Sequence, residues 1–173
     1  MVEKSVPLSV RMSANDMAML SSLVLPGAIT PSEKLRKLVR DAYRRETAKH
    51  QFDAALELSE EQVNPTAHNV RVAEARHHLH SEFLLQVLNW LPDVIALAMT
   101  RSGEKTLNPE QLAELEQELA DRVFALMIAV LNMAITADQQ CYEPKVLLQR
   151  MPSVLAVSRL LDSVVAINYG ERK

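Results

Sequence analysis

Residues 6–12 alternate strictly: Val6, Leu8, Val10 and Met12 fall on one face of an extended segment, and Pro7, Ser9 and Arg11 on the other. No second stretch of comparable clarity follows. A lone strand leaves its apolar face and its backbone hydrogen-bonding groups without partners. The economical solution is the same strand of a second copy, a contact that two-fold symmetry makes self-complementary. The expected unit is therefore a homodimer with a two-stranded antiparallel ribbon. Val6, Leu8, Val10 and Met12 then face the helices, and Ser9 and Arg11 face outward.

The rest reads as helix. Ser13 has the chemistry of an N-cap, with Asn15 and Asp16 in the first turn. Met17, Leu20, Leu23 and Val24 recur at three- and four-residue steps, giving a short helix to about Leu25 that Pro26-Gly27 stops. Thr30 followed by Pro31 is a cap with proline at the first helical position, and Glu33 completes a capping box. The second helix carries Leu35, Leu38, Val39, Ala42 and Tyr43 on one side, with Arg36, Arg40 and Arg44 as a stripe on another. Three glycines in 173 residues, where average usage gives roughly a dozen, argue against sheet-rich and doubly wound nucleotide-binding folds.

Charge divides the chain. Residues 1–50 hold nine Lys/Arg against five Asp/Glu, a balance of +4, and residues 51–173 hold ten against seventeen, a balance of −7. A basic head on an acidic body is the pattern of a polyanion-binding module joined to a part with another task.

Pro7-Leu-Ser-Val-Arg-Met-Ser13, the short helix, Pro26-Gly-Ala-Ile-Thr-Pro-Ser-Glu33 and Leu35-Arg-Lys-Leu-Val-Arg-Asp-Ala-Tyr43 together resemble a ribbon-helix-helix DNA-binding domain. The resemblance covers roughly residues 1–48. It implies paired strands in the major groove, with Pro7, Ser9 and Arg11 at the base-contacting positions. It also implies a backbone phosphate at the start of the second helix, met by Thr30, Ser32, Lys34, Arg36 and nearby amides. Val6, Leu8, Val10, Met12, Leu20, Ile29, Leu35 and Val39 become core of the dimer. Two residues depart from the pattern: Pro7 can make no base hydrogen bond, and Pro31 removes one amide from the clamp.

For residues 49–173 the expectation is an acidic bundle of about four helices. Asn64-Pro65-Thr66 marks a break, residues 66–100 read as one helix that Pro92 kinks or splits, and Leu79 is among its core candidates. A polar loop around Gly103 leads to Asn108-Pro109-Glu110, a second cap-plus-proline start. A last helical pair covers about 144–150 and 153–168. The uncharged run 123–137 has fifteen residues, short of the ~20 needed to cross a bilayer, and reads as a buried helix.

Catalytic chemistry finds no foothold. There is no glycine-rich phosphate loop, nucleophile elbow or His-Glu-x-x-His pair. Glu74 and His77 have the spacing of a di-iron half-site, but no second such pair exists, and His77, His78 and His80 read as a polar face without metal. Cys141, the sole cysteine, reads as a small semi-buried residue. No cofactor and no enzyme activity are expected. The expected partners are double-stranded DNA, a second copy of the chain and a protein docked on the bundle, in the cytoplasm and not at a membrane. Three functions fit: a transcriptional repressor, an accessory DNA-binding protein of a plasmid transfer, mobilisation or partition complex, and a helical adaptor or antitoxin-like protein without DNA readout.

Overall fold

The computed structural model describes residues 6, 9–103, 106–136, 141–143 and 145–170, without the side chains of 163–170. The protein is mainly helical. The order is α1 (Ala14–Ser22), α2 (Pro31–Ala48), α3 (Phe52–His77), α4 (Glu82–Arg101), α5 (Pro109–Thr136), a 3-10 turn (Leu148–Arg150) and α6 (Met151–Gly170). The chain divides into two compact units, Met1–Thr47 and Ala48–Lys173.

In the first unit, helix boundaries follow from local chemistry. Ser13 is extended (φ −68, ψ 159) and its Oγ accepts the Asp16 amide at 3.1 Å, so an otherwise orphaned N–H is satisfied. After α1 the chain turns at Pro26-Gly27: the Ala28 amide donates to the Leu25 carbonyl at 3.1 Å, and Gly27 adopts φ 75, which a side chain would strain. The Leu25–Ala28 bridge is the one sheet-like pairing among the described residues. The expected strand is not formed there: Val6, Ser9, Val10, Arg11 and Met12 belong to no strand, and Pro7 and Leu8 lie outside the described residues. A strand exists through hydrogen bonds to a neighbour, and among the described residues this segment has none.

The second unit is built around the antiparallel contact of α3 with α4. Ala55, Ser59 and Ala96 are completely buried, and such small side chains let two helix backbones approach closely. Phe52, Leu56 and Met99 close over Ala48, Ala55, Leu58 and Ala96. Gly103 belongs to the same packing, because a Cβ there would lie 2.5 Å from the Lys49 carbonyl oxygen.

The break expected at Pro65 does not occur; α3 runs through it from Phe52 to His77. Pro65 stands on the exposed side, where water can serve the backbone groups that a proline takes out of the ladder. α4 likewise continues past Pro92. The real break is at 78–81, inside the stretch expected to be one helix. His78 takes a left-handed conformation (φ 53, ψ 39) and its amide bonds back to the Glu74 carbonyl, while Ser81 caps α4 by accepting the Leu84 amide at 3.1 Å. Leu79 sits in this turn half exposed, not in the core.

Glu74 holds that corner. Its carboxylate is buried and accepts the Ser81 amide at 2.8 Å and the Tyr142 hydroxyl at 2.9 Å, with His80 Nδ1 at 3.6 Å. Burial raises its pKa, but Tyr142, Ser81 and His80 together outweigh that and hold the carboxyl below the usual range. Burial, with the same contact to Glu74, pushes the Tyr142 phenol up.

α5 starts where the sequence places it, with Asn108 and Gln111 exchanging side-chain-to-amide bonds at 2.8 and 2.9 Å. Its first half is tied to α4: Arg122 pairs with Asp93, Arg101 with Glu114 and Glu118, and the Trp90 indole donates to the Arg122 carbonyl at 3.2 Å. Its second half is not the buried helix expected of the run 123–137; Ala134 is the only buried residue of α5. Against α4 and the described residues of 141–151, Phe124, Met127, Ile128 and Ile135 stay exposed. α4 and α5 are both long and apolar enough to cross a membrane by length and composition; α4 is mostly half-buried against its neighbours, whereas much of α5 is exposed. Cys141 is buried with Ala134 and Leu147, and burial raises its thiol pKa. The last pair is shorter at its start than expected, a single 3-10 turn before α6, with Pro144 outside the described residues.

Candidate nucleic-acid interface

The first unit gathers its candidate residues at two places. One is the segment before α1, where Ser9 and Arg11 are exposed and Met12 is half buried. The other is the start of α2, where four successive residues, Thr30 to Glu33, form a closed capping box. The Glu33 carboxylate accepts the amides of Ile29 at 3.0 Å and Thr30 at 2.8 Å, and Thr30 Oγ1 accepts the Glu33 amide at 3.3 Å. The Thr30 and Ile29 amides, with the Thr30 hydroxyl, hold the Glu33 carboxyl below its usual range.

This box changes the expected phosphate clamp. Helix N-termini favour anions, but here a carboxylate of the chain already occupies that role. Thr30 is spent on the box, Pro31 has no amide to give, and Ser32 and Arg36 remain exposed. Arg36 Nε bonds the Ser32 carbonyl at 3.3 Å, which leaves its terminal nitrogens for other partners.

Lys34 is elsewhere altogether. Only 9% exposed, its ammonium donates to the carbonyls of Leu20 at 3.2 Å and Ser21 at 2.8 Å, the orphan acceptors at the end of α1. It is a cap of α1 supplied by α2, not a surface cation. Lys37 does a similar service, donating to the Pro26 carbonyl at 3.0 Å.

The arginine stripe becomes a groove. Arg36, Arg40 and Arg44 with Lys37, Glu33 and Asp41 line a cleft of about 400 Å³ against the Pro26-Gly27 turn. Four basic groups against two acidic ones leave its lining positive.

Of the expected dimer core, Leu20 is buried and Leu35 half buried, as one chain allows. Val6, Val10, Ile29 and Val39 are open to solvent at 57–88% exposure, and Tyr43 is 73% exposed. Leu8 and Pro7 lie outside the described residues. Sequence reading passed over the part Lys34 plays, although its place at the edge of the apolar arc of α2 was a signal: a lysine there must find acceptors or be expelled. Among the described residues no group of three or more His, Cys, Asp or Glu side chains is placed to hold a metal ion. Comparison with family models, curated proteins and solved structures gave no match.

Proposed function

We propose that the chain is a sequence-specific DNA-binding protein of the ribbon-helix-helix kind, a cytoplasmic repressor that reads the major groove as a homodimer. One observation carries the reading: the capped two-helix frame of the first unit leaves Val10, Ile29, Val39 and Tyr43 exposed on a basic module. Burying such side chains stabilises by about 1.5–3 kcal/mol each, so a symmetric partner is the natural cover. Pairing of the segment around Val6–Val10 with its copy satisfies the backbone groups that a lone strand leaves open. Ser9 and Arg11 then project from the outer face of the ribbon toward base edges, with Pro7 outermost. Ser32, Arg36 and Arg40 meet backbone phosphates, while Lys34 does not.

The test is duplex binding by fluorescence anisotropy, with sites selected from a random-sequence library. A preferred site and a strong salt dependence are expected. Arg11→Ala weakens binding to that site by roughly 1–3 kcal/mol and relaxes preference at one base position. Equal, salt-insensitive binding by both chains overturns strand readout, and absence of duplex binding favours the helical adaptor.

A further inference from the structure

We infer that the second unit carries its own self-association surface, the outer faces of α5 and α6, covered by the same faces of a second copy. On α5, Phe124, Met127, Ile128 and Ile135 are 43–77% exposed. With half-buried Leu131, positions 124, 128, 131 and 135 follow a four-three-four spacing, the seam of one helix packed on another.

α6 adds an independent sign. Residues 152–162 are all exposed, including Val154, Leu155, Val157 and Leu161 at 38–57%. A helix of this length draws most of its stability from packing of an apolar face, and among the described side chains of α6 that packing lies in the first turn, where Met151 touches the Ala134–Leu147 cluster.

The area is of the right size. Eight such side chains leave roughly 600 Å² of apolar surface at about 80 Å² each. Summed over the two helices, that is of the order of the ~800 Å² that each partner gives to a stable interface. Lipid is the poorer cover. The uncharged part of α5, 123–136, spans about 21 Å, so crossing the ~30 Å hydrocarbon core would place Asp121 and Arg122 in lipid, and Arg159 and Asp162 interrupt the exposed face of α6.

The experiment uses the full chain in sedimentation velocity, with Val39→Glu to disable pairing through the first unit. This variant is expected to remain a dimer at micromolar concentration. Adding Phe124→Glu and Ile128→Glu shifts it to a monomer with unchanged helicity by circular dichroism. As a second measurement, a Cys141→Ala, Ile128→Cys chain is expected to give a dimer with a short bismaleimide, because Ile128 lies near the middle of the seam. A monomeric, fully helical Val39→Glu chain overturns the inference, as does failure of the Ile128→Cys chain to cross-link. Co-sedimentation of the wild-type chain with phosphatidylcholine–phosphatidylglycerol vesicles, lost in the Phe124→Glu, Ile128→Glu chain, assigns the faces to lipid and overturns it too.

Discussion

The ammonium of Lys34 donates to the carbonyl of Leu20 at 3.2 Å and, beside it, to that of Ser21. Fourteen residues separate the two, and the contact fastens the end of α1 to the start of α2. A positive charge at a helix C-terminus also complements the partial negative charge of the unsatisfied carbonyls.

Replacing Lys34 therefore acts on folding and not on DNA. Lys34→Met keeps the aliphatic stem and removes the donor, leaving the buried Leu20 carbonyl and the partly buried Ser21 carbonyl unserved. A loss of about 1.5–3 kcal/mol is expected in urea denaturation, in line with hydrogen bonds to charged groups. The salt dependence of DNA binding stays as in wild type. A reduced salt slope with unchanged stability shows that Lys34 meets phosphate after all.

Glu33 works in the opposite direction. Glu33→Gln can keep both arms of the capping box while removing the negative charge from the start of α2. Affinity for duplex DNA is expected to rise, most clearly at low salt. The variant also reports on pH. A carboxyl held low in the folded state stabilises above its unfolded pKa, and that contribution is lost as pH falls through the lowered folded value. Acid denaturation followed by circular dichroism should be less steep in Glu33→Gln.

The Glu74–Tyr142 contact gives a two-sided pH prediction. Tyr142→Phe removes a donor to the buried carboxylate, so the Glu74 pKa rises and acid unfolding moves to higher pH. At the alkaline end the wild-type phenol is held above its usual value; its stabilisation is present below the unfolded pKa near 10 and fades as pH rises through the folded value. Tyr142→Phe lacks that alkaline loss. Identical acid midpoints in the two proteins rule out the coupling.

Gly103→Ala is the packing test. Its Cβ meets the backbone oxygen of Lys49 at 2.5 Å, and a backbone group cannot swing aside as a side-chain end can. A loss of about 1–3 kcal/mol is expected, seen as a lower thermal midpoint of the full chain.

What the sequence determined by itself is local. The starts of α1, α2 and α5 are written in Ser13–Asp16, Thr30–Glu33 and Asn108–Gln111, and in each pair the bonding atoms lie three residues apart. The turn at Pro26-Gly27 and the helical class of the protein are legible for the same reason: backbone preference and capping act within one turn of chain. Tertiary structure decided the rest. Pro65 looked like a stop, but it stands on the exposed side of a long helix where water can serve the freed backbone groups, while the true stop at His78 is held by Glu74, whose carboxylate meets Ser81 and also Tyr142, sixty-eight residues away. Lys34 looked like a phosphate ligand until the end of α1 came within reach of its ammonium. The run 123–137 looked like core because hydrophobicity records a need for cover, not its source; only the packing of α4, α5 and α6 shows how little of that cover the described residues supply.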